Sequence, residues 1–215
     1  MNKKLINITF FVSLLFGTLT SKAQNIGNIP KAELIKLMVD SFENKICEYY
    51  SIEKENSYEA FFKYVNDFNS NKINIKDLTS EEELELLKIS NETLKEYIWI
   101  TDKEKFERFV KNIEEEEQIQ IIEIKDERNS TEPLYTNKLG VNYFDKYSSK
   151  LINETTINDL KETLTTLRDM PDTSPHTSAF AFTYTNKENY KDSSLKTFIA
   201  FELYYTVLNN LNQNE

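Results

Sequence analysis

Glycine is scarce in this chain of 215 residues, and only Gly17, Gly27 and Gly140 are present. Phosphate-binding loops and tight β-hairpins need glycine, because it adopts positive φ angles and lets another group approach the backbone closely. Its scarcity therefore weighs against nucleotide-binding folds, β-barrels and β-sandwiches. It favours helices that are joined by polar loops.

Histidine and cysteine are almost absent. His176 is the only histidine, which excludes an HExxH motif and any zinc site built from several histidines. We expect it at the surface, because it lies in a loop that contains two prolines. Cys47 is the only cysteine, so no disulfide can form within the chain. It lies beside apolar residues on a predicted helix, and we expect a buried thiol.

Motifs for catalysis and for cofactor binding are also missing. The sequence has no G-x-S-x-G nucleophile motif and no D-x-D-x-D-G calcium loop. A catalytic triad would need partners for His176 that the sequence does not indicate. We therefore predict no catalytic residues, no metal ligands and no cofactor, and we favour a non-enzyme over an enzyme.

The first 23 residues follow the order of a secretory signal peptide. Lys3 and Lys4 give a positive start, residues 5–16 form an apolar run, and Ser21 and Ala23 are small. Signal peptidase requires small residues at positions −3 and −1 of its cleavage site. This order of charge, apolar run and small residues predicts export.

Cleavage is predicted between Ala23 and Gln24, which leaves a single domain over residues 24–215. The mature protein is then expected outside the cytoplasm, either in the periplasm or released from the cell. The apolar run is shorter than the roughly 20 residues of a membrane-spanning helix, and no later segment is long and apolar enough. We therefore predict no transmembrane segment once the signal peptide is removed.

Acidic residues outnumber basic ones, and the net charge is −10. The predicted signal peptide carries three lysines and no acid, so its removal changes the net charge from −10 to −13. Nucleic acids are bound mainly through Lys and Arg, which displace counterions from the phosphates, and a nucleic-acid partner is therefore not expected. An anionic lipid surface is disfavoured for the same reason. A basic protein partner is compatible with this charge.

Apolar residues recur at helical spacing along most of the chain. Leu34, Met38, Phe42 and Ile46 recur every fourth residue and predict a helix over about residues 30–52. Further helices are expected to begin at three capping boxes, in which a Ser, Thr or Asn is followed three residues later by Glu. These boxes comprise residues 56–59, 79–82 and 101–104. Later helices are expected over residues 143–152, from Thr156 and from Ser194 onward.

Two segments have the composition of β-strands. Residues 118–124 are rich in isoleucine and nearly alternate with polar residues, and residues 179–184 alternate small and aromatic side chains. Paired with each other, they would form a two-stranded element, which needs helices packed against it for stability. The predicted fold is therefore mainly α, a helical bundle-like single domain with room for this small two-stranded β element. An α+β fold is the alternative.

Aromatic residues are abundant, with 14 Phe, 12 Tyr and one Trp. Most lie on the apolar faces of predicted helices and are expected in the core. Trp99, Tyr204 and Tyr205 point inward less clearly in these patterns. Because exposed Tyr and Trp are typical anchors of protein interfaces, these three residues are predicted as a candidate interaction surface.

Several functions are compatible with an exported, acidic, helical protein. The preferred hypothesis is a non-enzymatic protein that binds a protein partner in the cell envelope or periplasm. A sharper form is an immunity or inhibitor protein that blocks a basic toxin or hydrolase. The alternative class is a carboxylate-dependent hydrolase of glycan or peptide, since glutamates are abundant, as in residues 81–85 and 114–117. A purely structural envelope component is a further interpretation.

Overall fold

Helices dominate the fold. A computed structural model describes residues 29–117 and 138–212, and these ranges contain nine helices and one small sheet. The predicted class, mainly α with a small two-stranded β element, is confirmed. In chain order the helices are α1 (Lys31–Tyr50), α2 (Ser57–Asn69), α3 (Ile75–Leu78), α4 (Glu81–Thr93), α5 (Asp102–Glu117), α6 (Lys146–Glu154), α7 (Asn158–Asp169), α8 (Pro175–Phe180) and α9, which continues through Ser193–Phe198, Ile199–Tyr205 and Thr206–Asn212.

The helix α9 forms the centre of the core. Residues 198–206 are all buried, so this helix is enclosed on every side rather than along one stripe. It packs against α1, α2 and α8. The ring of Tyr204 stacks on Phe42 of α1 with 4.7 Å between the ring centroids. Tyr64 of α2 donates a hydrogen bond of 3.1 Å to the carbonyl of Leu203.

The middle of α9 is a π-helix. This segment, Ile199–Tyr205, lies between two α-helical segments of the same continuous helix. A π-helix has a wider turn than an α-helix, and short π-segments inside α-helices are frequently found at functional sites. Glu202 lies in the middle of the segment and is the one acidic residue among its apolar and aromatic side chains.

The periodic sequence of α1 produces the buried face that it predicts. Its four apolar residues at every fourth position are completely buried. The helix ends at Tyr50, after which Ser51 adopts a left-handed conformation with a φ of 54°. Cys47 is also buried, which confirms the prediction of a buried thiol.

The predicted capping box at residues 101–104 forms at the start of α5. The Thr101 amide donates to the Glu104 carboxylate at 2.7 Å, and the Glu104 amide donates to the Thr101 hydroxyl at 3.2 Å. By contrast, the Asn56 side chain caps nothing in the described part of the chain. The reason is that a 3₁₀ turn over Lys54–Asn56 leads directly into α2, so Asn56 lacks the extended backbone of an N-cap residue.

The capping box of α4 forms one residue later than predicted. Ser80 and Glu83, rather than the residues at 79 and 82, bond reciprocally at the helix start. Thr79 is not available for this role, because its hydroxyl donates to the Ile75 carbonyl in α3 at 2.9 Å. The short helix α3, which the sequence pattern did not predict, therefore sets where α4 begins.

The sheet consists of two short strands that the sequence pattern did not predict. They are β1 (Trp99–Thr101) and β2 (Leu139–Val141), which pair antiparallel with Ile100 opposite Gly140. Strands of three residues are too short to show an alternating pattern. Residues 118–124, which were predicted as a strand, lie outside the described residues, as do the predicted signal peptide and its cleavage site.

The prediction of a strand at residues 179–184 is wrong. Pro175 occupies the first turn of α8, and the Ser174 hydroxyl accepts a hydrogen bond from the Thr177 amide at 3.2 Å. Both features start a helix. The buried residues are Ala179 and Phe182, which are spaced by three rather than by two.

Candidate functional site

The three aromatic residues predicted as an interaction surface are buried. Trp99 is 1% exposed, and Tyr204 and Tyr205 are 0% exposed. Their polar atoms have partners within the core: the Trp99 ring nitrogen donates to Ser90 at 3.1 Å, and the Tyr205 hydroxyl donates to the Met38 carbonyl at 2.9 Å. The prediction of exposure is therefore wrong. Tyr204 and Tyr205 lie on α9, which is surrounded on every side, and Trp99 lies on β1, where its ring packs against a phenylalanine of α9.

Among the described residues, three other Phe or Tyr side chains are exposed, and Tyr49 on α1, at 46%, is the least exposed of them. Phe180, the last residue of α8, is 55% exposed, and Tyr184 in the following turn is 85% exposed. Their rings contact each other edge to face, with centroids 5.8 Å apart. Between them, Phe182 is completely buried and anchors the turn to the core. We call Phe180 and Tyr184 the aromatic pair.

Hydrogen bonds hold the turn that carries the aromatic pair. The Thr183 hydroxyl donates to the Phe180 carbonyl at 2.9 Å, and the Thr185 amide donates to the Phe182 carbonyl at 3.1 Å. The Thr185 hydroxyl also donates to the Asp159 carboxylate at 2.6 Å. The aromatic pair is therefore presented by a fixed turn that is tied to α7.

A groove of about 330 Å³ lies next to this turn, between α7 and α8. Its wall includes Ala181, which directly follows Phe180 in the chain. Asp159 and Glu162 supply two carboxylates, and threonine hydroxyls make up much of the remaining lining. Apolar and acidic surface thus meet at the same place on the molecule.

A second concave feature, the Glu202 cleft, has a volume of about 450 Å³. The first turn of α5, the strand β2, the loop between α7 and α8, and the second half of α9 form its walls. Charged residues of both signs line it: Lys105, Lys138, Asp102, Asp172 and Glu202. None of the described residues in its lining is aromatic, which differs from the aromatic cleft expected of a glycan hydrolase.

Glu202 is 4% exposed and lies at the base of this cleft. Tyr143 donates a hydrogen bond of 2.5 Å to one carboxylate oxygen, and Ser178 donates a bond of 3.2 Å to the other. Burial raises the pKa of Glu202, while the charge of Lys105 and the two hydrogen bonds oppose this rise. Neither the sequence pattern nor the predicted site residues singled out this carboxyl.

A second tyrosine hydroxyl belongs to the surroundings of Glu202. Tyr147 is 2% exposed, and its hydroxyl has no hydrogen-bond partner among the described residues. Burial, together with the charge of Glu202, raises the pKa of Tyr147 well above its ordinary value. Burial and the charge of Glu202 also raise the pKa of Tyr143 well above its ordinary value, so both tyrosines remain protonated beside the carboxyl at neutral pH.

Lys105 reaches the Glu202 cleft over a glycine. A Cβ atom added at Gly140 would lie 2.5 Å from the Lys105 ammonium nitrogen, which is too close for the two to coexist unmoved. The absence of a side chain at this position of β2 therefore makes room for the end of Lys105. Gly140 is one of the few glycines in the chain, and here its small size has a definite structural use.

His176 is exposed, as predicted. Its ring stacks on Phe68 with 4.5 Å between the centroids, and one ring nitrogen is 2.9 Å from the Asn71 side-chain oxygen. These contacts join α8 to the end of α2. Within residues 29–117 and 138–212, no serine, cysteine or carboxylate is hydrogen-bonded to this ring.

The described residues contain no group of three or more His, Cys, Asp and Glu side chains that is suited to a metal ion. Across the same residues, no helix combines the length and the apolar character needed to cross a membrane.

No protein-family model matches the chain, and no curated protein or solved structure is significantly similar to it. Its function has to follow from its own residues and their geometry.

Proposed function

We propose that the mature chain, residues 24–215, is an exported, non-enzymatic, acidic domain that binds another protein in the cell envelope or periplasm. The aromatic pair forms the centre of the contact surface. The observation that carries this proposal is the exposure of Phe180 and Tyr184, at 55% and 85%. Among the described residues, Tyr49 is the one other exposed Phe, Tyr or Trp side chain, and the remaining rings are buried or partly buried.

A partner that covers these two rings gains free energy, because apolar surface is removed from water. Burial of one such side chain contributes about 1.5–3 kcal/mol. The turn that carries the aromatic pair is held by hydrogen bonds and by buried Phe182. Little conformational freedom is then lost on binding, which increases the share of this energy that appears as affinity.

The charge of the protein supports a basic partner. Asp159 and Glu162 lie in the groove beside the aromatic pair, and the whole chain carries a net charge of −10. A partner that presents Lys or Arg next to an apolar patch would match both features. An inhibitor or immunity protein for a basic toxin or hydrolase is the specific form of this proposal, because opposite charges speed up such encounters.

The test uses the mature chain as bait in envelope extracts of its native host. A double variant, Phe180→Ser with Tyr184→Ser, is compared with the wild type. Tyr49→Ser is the matched control, because Tyr49 is also exposed and also contacts a neighbouring ring, that of Tyr50, edge to face.

We expect the wild type and Tyr49→Ser to capture a partner that binds through the aromatic pair. We expect its affinity for the double variant to fall by more than about tenfold, as for interface anchors in general. Equal capture by the double variant would show that the aromatic pair is not the contact surface. Repeated failure to recover any specific partner would count against the binding function itself.

A further inference from the structure

We infer that the Glu202 cleft binds a small zwitterion of the α-amino-acid class, whose ammonium group contacts Glu202 and whose carboxylate contacts Lys105. This site is separate from the aromatic pair and does not depend on the proposed protein-binding function. The site is defined by Glu202, by Lys105 and by the other charged residues that line the cleft.

The Glu202 carboxyl lies in α9, where residues 198–206 are all buried. Removal of a charged group from water costs several kcal/mol unless the group is well compensated. Glu83 is also buried, but it closes a capping box and accepts bonds from Ser41 and from the Ser80 backbone. Glu202 starts no helix, and it forms no ion pair with any residue that the structure describes.

Two hydrogen bonds orient the Glu202 carboxyl. Tyr143 binds one oxygen and Ser178 binds the other. A carboxylate oxygen can accept more than one hydrogen bond, so each oxygen retains acceptor capacity. Because Glu202 also lines the cleft, a donor that enters the cleft can use this capacity.

Lys105 supplies the second charged partner of the proposed site. Its charge acts on Glu202 strongly enough to oppose the effect of burial on that carboxyl. The two side chains nevertheless do not form an ion pair within the described residues, since none of their nitrogen–oxygen distances falls within 4 Å. A carboxyl group and an ammonium group thus face one cleft without contact. A molecule that carries both an ammonium and a carboxylate would pair with the Glu202 carboxyl and with the Lys105 ammonium at the same time.

The charge balance of the cleft selects the class of ligand. Two lysines and three carboxyl groups line it, so neither a strongly anionic nor a strongly cationic ligand would be favoured throughout. Its volume of about 450 Å³ lies in the usual range of small-molecule sites, which is roughly 300–1,000 Å³. The absence of aromatic residues among the described lining disfavours a sugar, which commonly stacks on such rings.

The experiment measures binding of free amino acids to the mature chain. The full set of protein amino acids is screened by thermal shift, and each amino acid that raises the melting temperature is titrated by calorimetry. Two matched probes follow for each: the amino-acid amide, which lacks the carboxylate, and the N-acetyl derivative, which lacks the ammonium. We expect each probe to bind at least about tenfold more weakly than the zwitterion, because each leaves one charged group of the cleft unpaired.

Four variants locate the site. Glu202→Gln and Lys105→Met should each weaken binding at least about tenfold, since each removes one charged partner. Gly140→Ala should also weaken it, because the added Cβ displaces the end of Lys105. Lys103→Met is the control: Lys103 lies on the same helix but forms an exposed pair with Glu107, and binding should be unchanged.

Each possible result decides the inference. It is overturned if no amino acid binds, if the amide or the N-acetyl derivative binds as tightly as the zwitterion, or if binding survives both Glu202→Gln and Lys105→Met. If Glu202→Gln fails to fold, Lys105→Met and Gly140→Ala decide the question, because Lys105 is only half-buried and a Cβ added at Gly140 meets only the end of the Lys105 side chain. The variant Phe180→Ser with Tyr184→Ser should bind amino acids normally, which separates failure of this inference from failure of the protein-binding proposal.

Discussion

Glu83 and Glu202 are both buried carboxyl groups with different surroundings. Glu83 takes part in the capping box of α4 and is bonded by the Ser41 hydroxyl and the Ser80 amide. Glu202 receives its hydrogen bonds from Tyr143 and from a serine of α8, and it lines a cleft. The first group stabilises a helix start, whereas the second is placed where a ligand can reach it.

The buried position of Glu202 predicts a pH-dependent stability. Burial raises its pKa above the ordinary value of 4.5, so the folded protein retains this proton at pH values where the unfolded chain has lost it. The stabilisation of the folded state by this proton is complete below about pH 4.5, and it is lost as the pH rises through the raised pKa of Glu202. Glu202→Gln removes this titration. The free energy of unfolding of the variant should therefore increase relative to that of the wild type as the pH rises.

Urea unfolding of the wild type and of Glu202→Gln, measured at a series of pH values, checks this expectation. The free energy of unfolding is compared at each pH, so that effects of other titrating groups cancel between the two proteins. A difference that stays constant with pH would show that the Glu202 carboxyl does not change its protonation in the way described.

Single residues were predicted well where burial depends on one helix alone. The prediction for Cys47 is confirmed because its own helix pattern determines which way it faces. Glu202 could not be recognised, because Tyr143, Ser178 and Lys105 come from separate elements that only the fold brings together. In the sequence it only interrupts an apolar run.

Helix starts are the element-scale feature that the sequence predicted most directly. A capping box depends on two residues that are three positions apart, and its interactions are local. At α5 this local pattern is confirmed, with reciprocal bonds between Thr101 and Glu104. At α2 the same pattern is present in the sequence, but the Asn56 side chain makes no capping bond to a described residue.

This contrast predicts that two similar substitutions lower the free energy of unfolding by different amounts. Thr101→Ala removes a side chain that caps α5 and should lower the free energy of unfolding by about 1 kcal/mol. Asn56→Ala is the matched control and should change it by less than about 0.5 kcal/mol, as for surface substitutions in general. Urea unfolding measures both values. Equal decreases in the free energy of unfolding would contradict the capping geometry at one of the two helices.

Other elements could not be predicted because their conformation depends on distant contacts. The alternation of small and aromatic side chains at residues 179–184 suggested a strand, but the helix start at Ser174 and Pro175 determines the outcome. The pairing of β1 with β2 joins two short segments from different parts of the sequence. The π-segment of α9 departs from the period of 3.6 residues on which helix prediction depends.

At the scale of the whole molecule, the excess of acidic residues predicts how the proposed complex responds to salt. Long-range attraction between an acidic protein and a basic partner accelerates association, and salt screens this attraction. The association rate should therefore fall by about tenfold or more between low and high ionic strength, while the dissociation rate changes little. Stopped-flow or biosensor kinetics measures both rates. An association rate that ignores salt would rule out the inhibitor form of the proposed function.

The predicted signal peptide is tested by the N-terminus of the native protein. Protein purified from its host should begin at Gln24, because the small residues Ser21 and Ala23 specify the cleavage. Mass spectrometry of the N-terminal peptide gives the answer directly. A protein that retains Met1 and fractionates with cytosolic markers would contradict both the predicted location and the proposed partner.

The position of α9 in the chain has a consequence for biosynthesis. The helix that fills the centre of the core is translated after every other described element. Until it leaves the ribosome exit tunnel, α1, α2 and α8 lack the surface against which they pack. A nascent chain that still lacks α9 cannot complete its core, and we expect it to stay accessible to chaperones until that helix is made. If the protein is exported as proposed, a translocation channel that accepts only unfolded polypeptide would receive it in a suitable state.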